Sequence, residues 1–217
     1  MRQPKQQRAV ETREGILRAA AEVFDEVGYA AAGINRILER AGATAGSLYF
    51  HFESKEGLAR AVMGRQSERI LPLLESEGLQ RLVDITLLWS HQLQSDVVLR
   101  AGVRLTTEVG VLGMGGADKP YAAWSRVMEE CLLAARDLGE LQAGVDPAHV
   151  AEYIVATCTG MQMLSEAAST GRVDLPQRTR RMWQLLLPGI AVPATVVRLD
   201  LDPRRAQALE RAEPVSG

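Results

Sequence analysis

Aromatic residues make up only 5% of the 217 positions, and there are only two cysteines. So few aromatics beside abundant Leu, Ala and Val disfavour a β-sandwich and favour helices. Cys131 and Cys158 stand apart and form no Cys-x-x-Cys pair. A disulfide framework is thereby excluded, and both read as buried thiols of a cytosolic protein. The three histidines, His51, His91 and His149, lack metal-ligand spacing, and no zinc motif of the HExxH or Cys/His kind is present. A Gly-x-Ser-x-Gly elbow and a Walker-type lysine are also missing. The glycines at Gly110, Gly113, Gly115 and Gly116 lack GxGxxG order and a preceding strand, so they mark a loop and not a phosphate cradle. No catalytic residue, metal or cofactor is therefore expected. Neither sign of charge dominates: the net charge of −2 excludes a uniformly basic coat but not a local basic patch. The longest apolar run, Leu185 to Val197, has 13 residues and two prolines. A membrane helix needs about 20 apolar residues. The first residues, Arg2 to Arg8, hold no apolar stretch, so no signal peptide is expected and the protein reads as cytoplasmic.

What is present is ordinary globular composition, 47% apolar and 24% charged, which excludes disorder of the whole chain. The length suits one or two domains. Residues 1–13 carry Arg2, Lys5, Arg8 and Arg13 against Glu11, a net of +3. Such a tail is either simply solvated or part of an anion-binding surface. Ile16, Leu17, Ala20, Val23, Phe24 and Val27 recur at helical spacing, and Gly28 supplies a stop. Ile34, Ile37, Leu38 and Ala41 form a shorter pattern that starts after Gly33 and ends at Gly42. Thr44 is an N-cap for residues 45–52, and Ser54 caps a longer helix carrying Leu58, Val62 and Ile70. This order is a helix-turn-helix pattern whose second short helix suits a DNA major groove. A three-helix bundle without a DNA role has the same spacing.

The residues themselves go further. Ile16-Leu17-x-x-Ala20, Phe24-x-x-x-Gly28-Tyr29, Ile37, Ala41-Gly42 and above all Gly46-Ser47-Leu48-Tyr49-Phe50-His51-Phe52-x-x-Lys55-Glu56-x-Leu58 resemble the DNA-binding head of TetR-family repressors. The resemblance implies that Tyr49 and His51 lie near the DNA backbone or bases. It also implies that Lys55 faces a phosphate at a helix N-terminus, where the helix already favours an anion. Arg8, Arg13, Thr44, Ala45 and Gly46 complete the expected DNA surface. Relatives usually carry a Lys where this chain has Ala45, so operator affinity or preference is expected to differ.

Helical patterns continue near 79–94, 96–109, 119–139, 147–168, 176–190 and 203–212, with Asp146-Pro147 and Asp202-Pro203 as start signals. The expected fold is all-α: a helix-turn-helix head in 1–54, a helical ligand and dimerisation domain in 55–212, and a disordered tail at 213–217. Arg100-Ala101-Gly102-x-Arg104-Leu105, Tyr121-x-x-Trp124, Thr159-Gly160-x-Gln162 and Trp183-x-x-Leu186-Leu187-Pro188-x-Ile190-Ala191-x-Pro193 are similar to the γ-butyrolactone autoregulator receptors. This TetR subfamily controls antibiotic production and differentiation. Tyr121, Trp124 and Met128 share a helix face, read either as core or as a pocket wall, and the subfamily places a ligand-facing Trp at Trp124. Val155, Thr159 and Gln162 form a second stripe, polar at its centre, that bonds across a dimer interface or lines a pocket. Gln66 is a third polar candidate, placed to couple pocket and head. Arg100, Arg104 and Glu108 read as an ion-pair ladder along one helix.

The resemblance implies a homodimeric repressor on a pseudo-palindromic double-stranded operator, released by a small inducer of the γ-butyrolactone type. Ile154, Met161, Leu185 and Leu186 are the expected bundle residues between subunits. Other TetR-type readings remain: a pseudo-receptor or a multidrug-sensing repressor answering to an antibiotic, a butenolide or a furan. A helical adaptor without DNA binding, or an enzyme, is the remote alternative.

Overall fold

The computed structural model describes residues 5–66, 70–111 and 118–211. Arg2, the loop glycines Gly113, Gly115 and Gly116, and the tail from 213 lie outside them. Among the described residues the fold is all-α. The helices are α1 (Lys5–Ala31), α2 (Ile34–Ala41), α3 (Ala45–Phe52), α4 (Lys55–Gly64), α5 (Gly78–Gln92), α6 (Val97–Val111), α7 (Asp118–Asp137), α8 (Pro147–Ala168), α9 (Leu175–Ile190), α10 (Pro193–Val196) and α11 (Arg204–Arg211). The β-structure among these residues is one isolated bridge between Leu141 and Ala191.

Two compact units result, one within Met1–Ser67 and Asp96–Pro120, the other within Glu68–Ser95 and Tyr121–Gly217. In the first, Ile16, Leu17, Ala20, Val23 and Phe24 of α1 are buried, as their spacing predicts. They pack with Ile37 of α2, Leu48 and Phe52 of α3, Leu58 and Val62 of α4, and Ala101 and Leu105 of α6. In packing terms, therefore, α4 and α6 belong with the first three helices. Thr44 and Ser54 cap as expected, each side chain accepting the backbone N–H three residues on, from Ser47 and Gly57. The basic segment is not a free tail from Lys5 onward, because α1 already begins there. Gly64 and a turn at Arg65 close α4, so Ile70, expected on that helix, lies beyond its end.

Gly28 does not end α1 but kinks it, with φ 74° and ψ 175°. An uninterrupted helix would join the Tyr29 N–H to the Asp25 carbonyl. Here the Tyr29 N–H donates to Glu108 Oε2 at 2.7 Å, and Arg104 Nη1 donates to the Asp25 carbonyl at 2.6 Å. Arg104 also pairs with Glu108 at 2.7 Å, and Arg100 with the Asp25 carboxylate at 2.9 Å. The expected ladder along α6 is thus largely a polar joint between α6 and the end of α1, while Arg104–Glu108 runs along the helix. The cause is the broken turn, whose freed backbone groups need partners. Glycine is required at position 28, since a Cβ there would stand 2.7 Å from Glu108 Oε1, on top of the positive φ.

In the second unit α5 is buried almost all round, from Leu82 through Ser90. Its Asp84 is fully enclosed and accepts from Arg205 of α11 at 2.6 and 2.9 Å, from Gln80 at 2.8 Å and from Ser76 at 2.6 Å. The indole of Trp183 on α9 donates to Thr86 Oγ1 at 2.7 Å. Asp146 caps α8 through the amides of Ala148 and His149, with Pro147 at the first turn. The inner face of α8 carries Ala151, Ile154, Cys158, Gln162 and Ser165. Ile154, expected between subunits, is fully buried in its own protomer, one helical turn from Cys158 on that same face. Burial pushes the Cys158 thiol up to about 12. The outer faces of α8 and α9 leave Tyr153, Met163, Leu164 and Leu185 exposed, Leu185 by 83%.

Deleting Arg205 would leave the Asp84 carboxylate buried with neutral partners only. Arg205→Ala should therefore lower unfolding stability by about 3 kcal/mol in urea titration, the bottom of the range for breaking a buried pair because Arg205 is part-exposed. An unchanged midpoint and slope would show that the pair contributes nothing.

Candidate nucleic-acid interface and small-molecule site

Leu48 and Phe52, four residues apart, anchor α3 in the core and so turn the residues between them outward. Phe50 is 80% exposed and Tyr49 is 49% exposed. Large aromatics in water are unfavourable unless they meet a partner. Beside them, α1 and the start of α3 enclose a cleft of about 520 Å³ lined by Arg8, Thr12, Thr44, Gly46, Phe50 and His51, with Ala9 and Ser47. Four of the sequence-predicted DNA residues, Arg8, Thr44, Gly46 and His51, thus meet in one groove. His51 is half-buried and sits edge-on to Phe50, with ring centroids 5.0 Å apart. Ala45 is exposed at the first turn of α3.

The cations of this surface are positioned by rings. Arg13 lies 5.1 Å over Phe52 and donates to Glu14 at 3.1 Å. Lys55, the first residue of α4, holds its ammonium 4.6 Å over Tyr29, and desolvation there pulls its pKa down. A helix N-terminus with a cation beside it suits a phosphate. Phe50, Thr12 and Tyr29 were not among the predicted residues, nor were Ala9 and Ser47. Phe50 was legible from the i, i+4 spacing of its buried neighbours. Thr12 and the Tyr29 platform come from α1, and nothing local in the sequence points to them.

Gln66 belongs to the first unit, where it is buried and its Nε2 donates to Thr106 Oγ1 of α6 at 3.2 Å. The remaining small-molecule candidates lie in the second unit. Tyr121 and Trp124 are half-buried on α7, and Met128 below them is buried. On α8, Thr159 Oγ1 is taken by its own helix, donating to the Val155 carbonyl at 2.9 Å. Gln162 is different: it is 3% exposed, and its Oε1 is enclosed without a hydrogen-bond partner. A buried acceptor left unmet costs about 1–3 kcal/mol. A cleft of about 500 Å³ between α5 and α7, with Arg81, Val127 and Cys131 in its wall, is lined by none of the predicted residues. Among the described residues no cluster of three or more His, Cys, Asp or Glu could hold a metal ion, and no helix is long and apolar enough to cross a membrane.

Residues 16–62 match the bacterial regulatory proteins of the tetR family, and residues 76–193 match the tetracyclin repressor-like C-terminal domain. The A-factor receptor protein of Streptomyces griseus is 41% identical over 212 residues, covering 96% of this chain and 75% of that protein. Full-length native TylP, a TetR regulator from Streptomyces fradiae, superposes with a TM-score of 0.85 at 41% identity, covering 93% of this chain and 97% of that one. CprB from Streptomyces coelicolor, solved in complex with its biological operator sequence, gives a TM-score of 0.69 at 30% identity, covering 93% and 99%. The chain belongs to the TetR family of bacterial regulatory proteins. Within it, this protein is a DNA-binding repressor of the γ-butyrolactone receptor kind.

Phe50→Ala should weaken binding to the operator more than binding to random DNA, because an aromatic contact to bases carries sequence information and a phosphate contact does not. Ala45→Lys should raise affinity for both, by adding one cation at the helix start. Fluorescence anisotropy on the two DNAs measures both effects. Equal losses for Phe50→Ala on both DNAs would remove Phe50 from the reading surface.

Proposed function

We propose that the protein is a homodimeric repressor, acting in the cytoplasm, that holds a pseudo-palindromic operator and leaves it when a small signalling molecule of the γ-butyrolactone type binds. Its targets in this reading are genes of antibiotic production and differentiation, and no catalytic step is involved. Residues 1–54 touch DNA, with Lys55 at the border, and residues 55–212 carry the ligand and dimer contacts. The DNA contacts are those of Arg8, Arg13, Thr44, Ala45, Gly46, Tyr49, His51 and Lys55, joined by Phe50.

The observation that carries the ligand assignment is the unmet Gln162 Oε1, a buried acceptor on the inner face of α8. A largely apolar ligand with a hydroxyl donor satisfies it, while Tyr121, Trp124 and Met128 supply the apolar wall. Thr159 remains in the reading as a secondary contact. The exposed apolar faces of α8 and α9 support the dimer: Tyr153, Met163, Leu164 and Leu185 gain most by meeting their copies across a two-fold axis. Two heads about 34 Å apart can then read successive major grooves, and a ligand that favours another spacing releases the DNA.

The experiment is a titration of inducer against the preformed operator complex, with butyrolactone, butenolide, furan and antibiotic arms. Trp124→Ala should keep repression and lose release. Gln162→Leu should raise the inducer concentration needed by about tenfold, which corresponds to about 1.4 kcal/mol. Release of both variants at the wild-type concentration would move the ligand elsewhere. Leu185→Glu should give a monomer in sedimentation at micromolar concentration; a persistent dimer would discard the α8–α9 interface.

A further inference from the structure

Lys55 makes no ion pair among the described residues; its partner is the face of Tyr29. A ring attracts a cation without neutralising it, so the ammonium keeps its charge for a phosphate. The next basic residue on α4, Arg60, is by contrast paired with Glu56. The Tyr29 ring is in turn held from two sides. It stacks on Phe24, with centroids 6.0 Å apart, and its backbone N–H is fixed by Glu108 Oε2 at 2.7 Å. That carboxylate is steadied by Arg104, which also grips the Asp25 carbonyl on the other side of the Gly28 kink. Tyr29 follows the kinked residue directly, so the backbone there has lost its own helical restraint, and Glu108 replaces it.

We propose that Glu108 of α6, 53 residues from Lys55 in sequence, is a positioning residue for DNA binding: it fixes Tyr29 so that the ring holds the Lys55 ammonium toward a phosphate. The inference rests on the reading of Lys55 as a phosphate contact. Glu108 itself touches no DNA, and its negative charge would repel it. Its removal nonetheless costs a phosphate contact, because an unrestrained Tyr29 lets the ammonium wander.

The test is the salt dependence of operator binding by the full-length protein. Each phosphate contact adds about 0.9 to the slope of log affinity against log salt. Lys55→Ala should lower the slope by about one unit per bound head. Glu108→Ala should lower it by a similar amount, and the double variant should lower it no further than Lys55→Ala alone. Glu108→Gln keeps an oxygen for the Tyr29 N–H and should restore the wild-type slope. Partial unfolding of Glu108→Ala would reduce the active fraction but not the slope of the active protein. Should that variant fail to fold, Tyr29→Leu, which removes the ring and keeps its apolar bulk, should show the same loss of slope. A wild-type slope for the folded Glu108→Ala, or for Tyr29→Leu, overturns the proposal, as does a loss that adds to that of Lys55→Ala. A wild-type slope for Lys55→Ala itself overturns the phosphate reading, and the proposal with it.

Discussion

One broken helical hydrogen bond organises the first unit. At Gly28 the chain turns out of the α-region, and the Tyr29 N–H and the Asp25 carbonyl lose each other. Both find partners on α6, from Glu108 and Arg104 respectively. Backbone groups left without partners in a part-buried place are costly, so α6 is required there and not merely tolerated. Once it is docked, Ala101 and Leu105 complete the apolar core against which α1 and α4 lie. The reading helix α3 then rests on that core through Leu48 and Phe52, and everything offered to DNA is what this seating leaves outside.

Much of this was legible in the residues. The stripe from Ile16 to Phe24, the caps at Thr44, Ser54 and Asp146, and the helix-turn-helix order all depend on spacings of three to four residues, and they stand in the structure as spacing implies. What escaped depends on separations along the chain that local patterns do not encode. Arg100, Arg104 and Glu108 look like a self-contained ladder because their neighbours in sequence are one another. Their main partners are 75 to 79 residues away. Ile154 was misplaced for a related reason: an apolar residue on an amphipathic helix is equally suited to an interior and to an interface. Only the fold shows that Leu185 faces out and Ile154 faces in. The candidate site divides the same way. The groove beside α3 gathers residues foreseen from their run in the sequence, while its Thr12 wall and the Tyr29 platform come from a different helix.

Two of the second unit's unmet requirements are opposite in character. On the inner face of α8 an amide oxygen is enclosed without a donor. On the outer faces of α8 and α9 large apolar side chains stand in water. The first calls for a hydrogen-bond donor. The second calls for an apolar partner. Each is a local loss of stability in the isolated protomer.

The pairing of Asp84 with Arg205 also bears on how the chain is made. The two residues are 121 positions apart. At ordinary rates of synthesis, about 5–20 residues per second, roughly 6 to 24 s pass between the addition of one and the addition of the other. During that interval α5 carries a carboxylate without its cation, on a helix whose faces are otherwise made for the interior. The polar joint of the first unit needs a shorter wait, since its contact between Tyr29 and Glu108 spans 79 positions. The emerging polypeptide can therefore possess a finished first unit while Asp84 still awaits Arg205 at the start of α11.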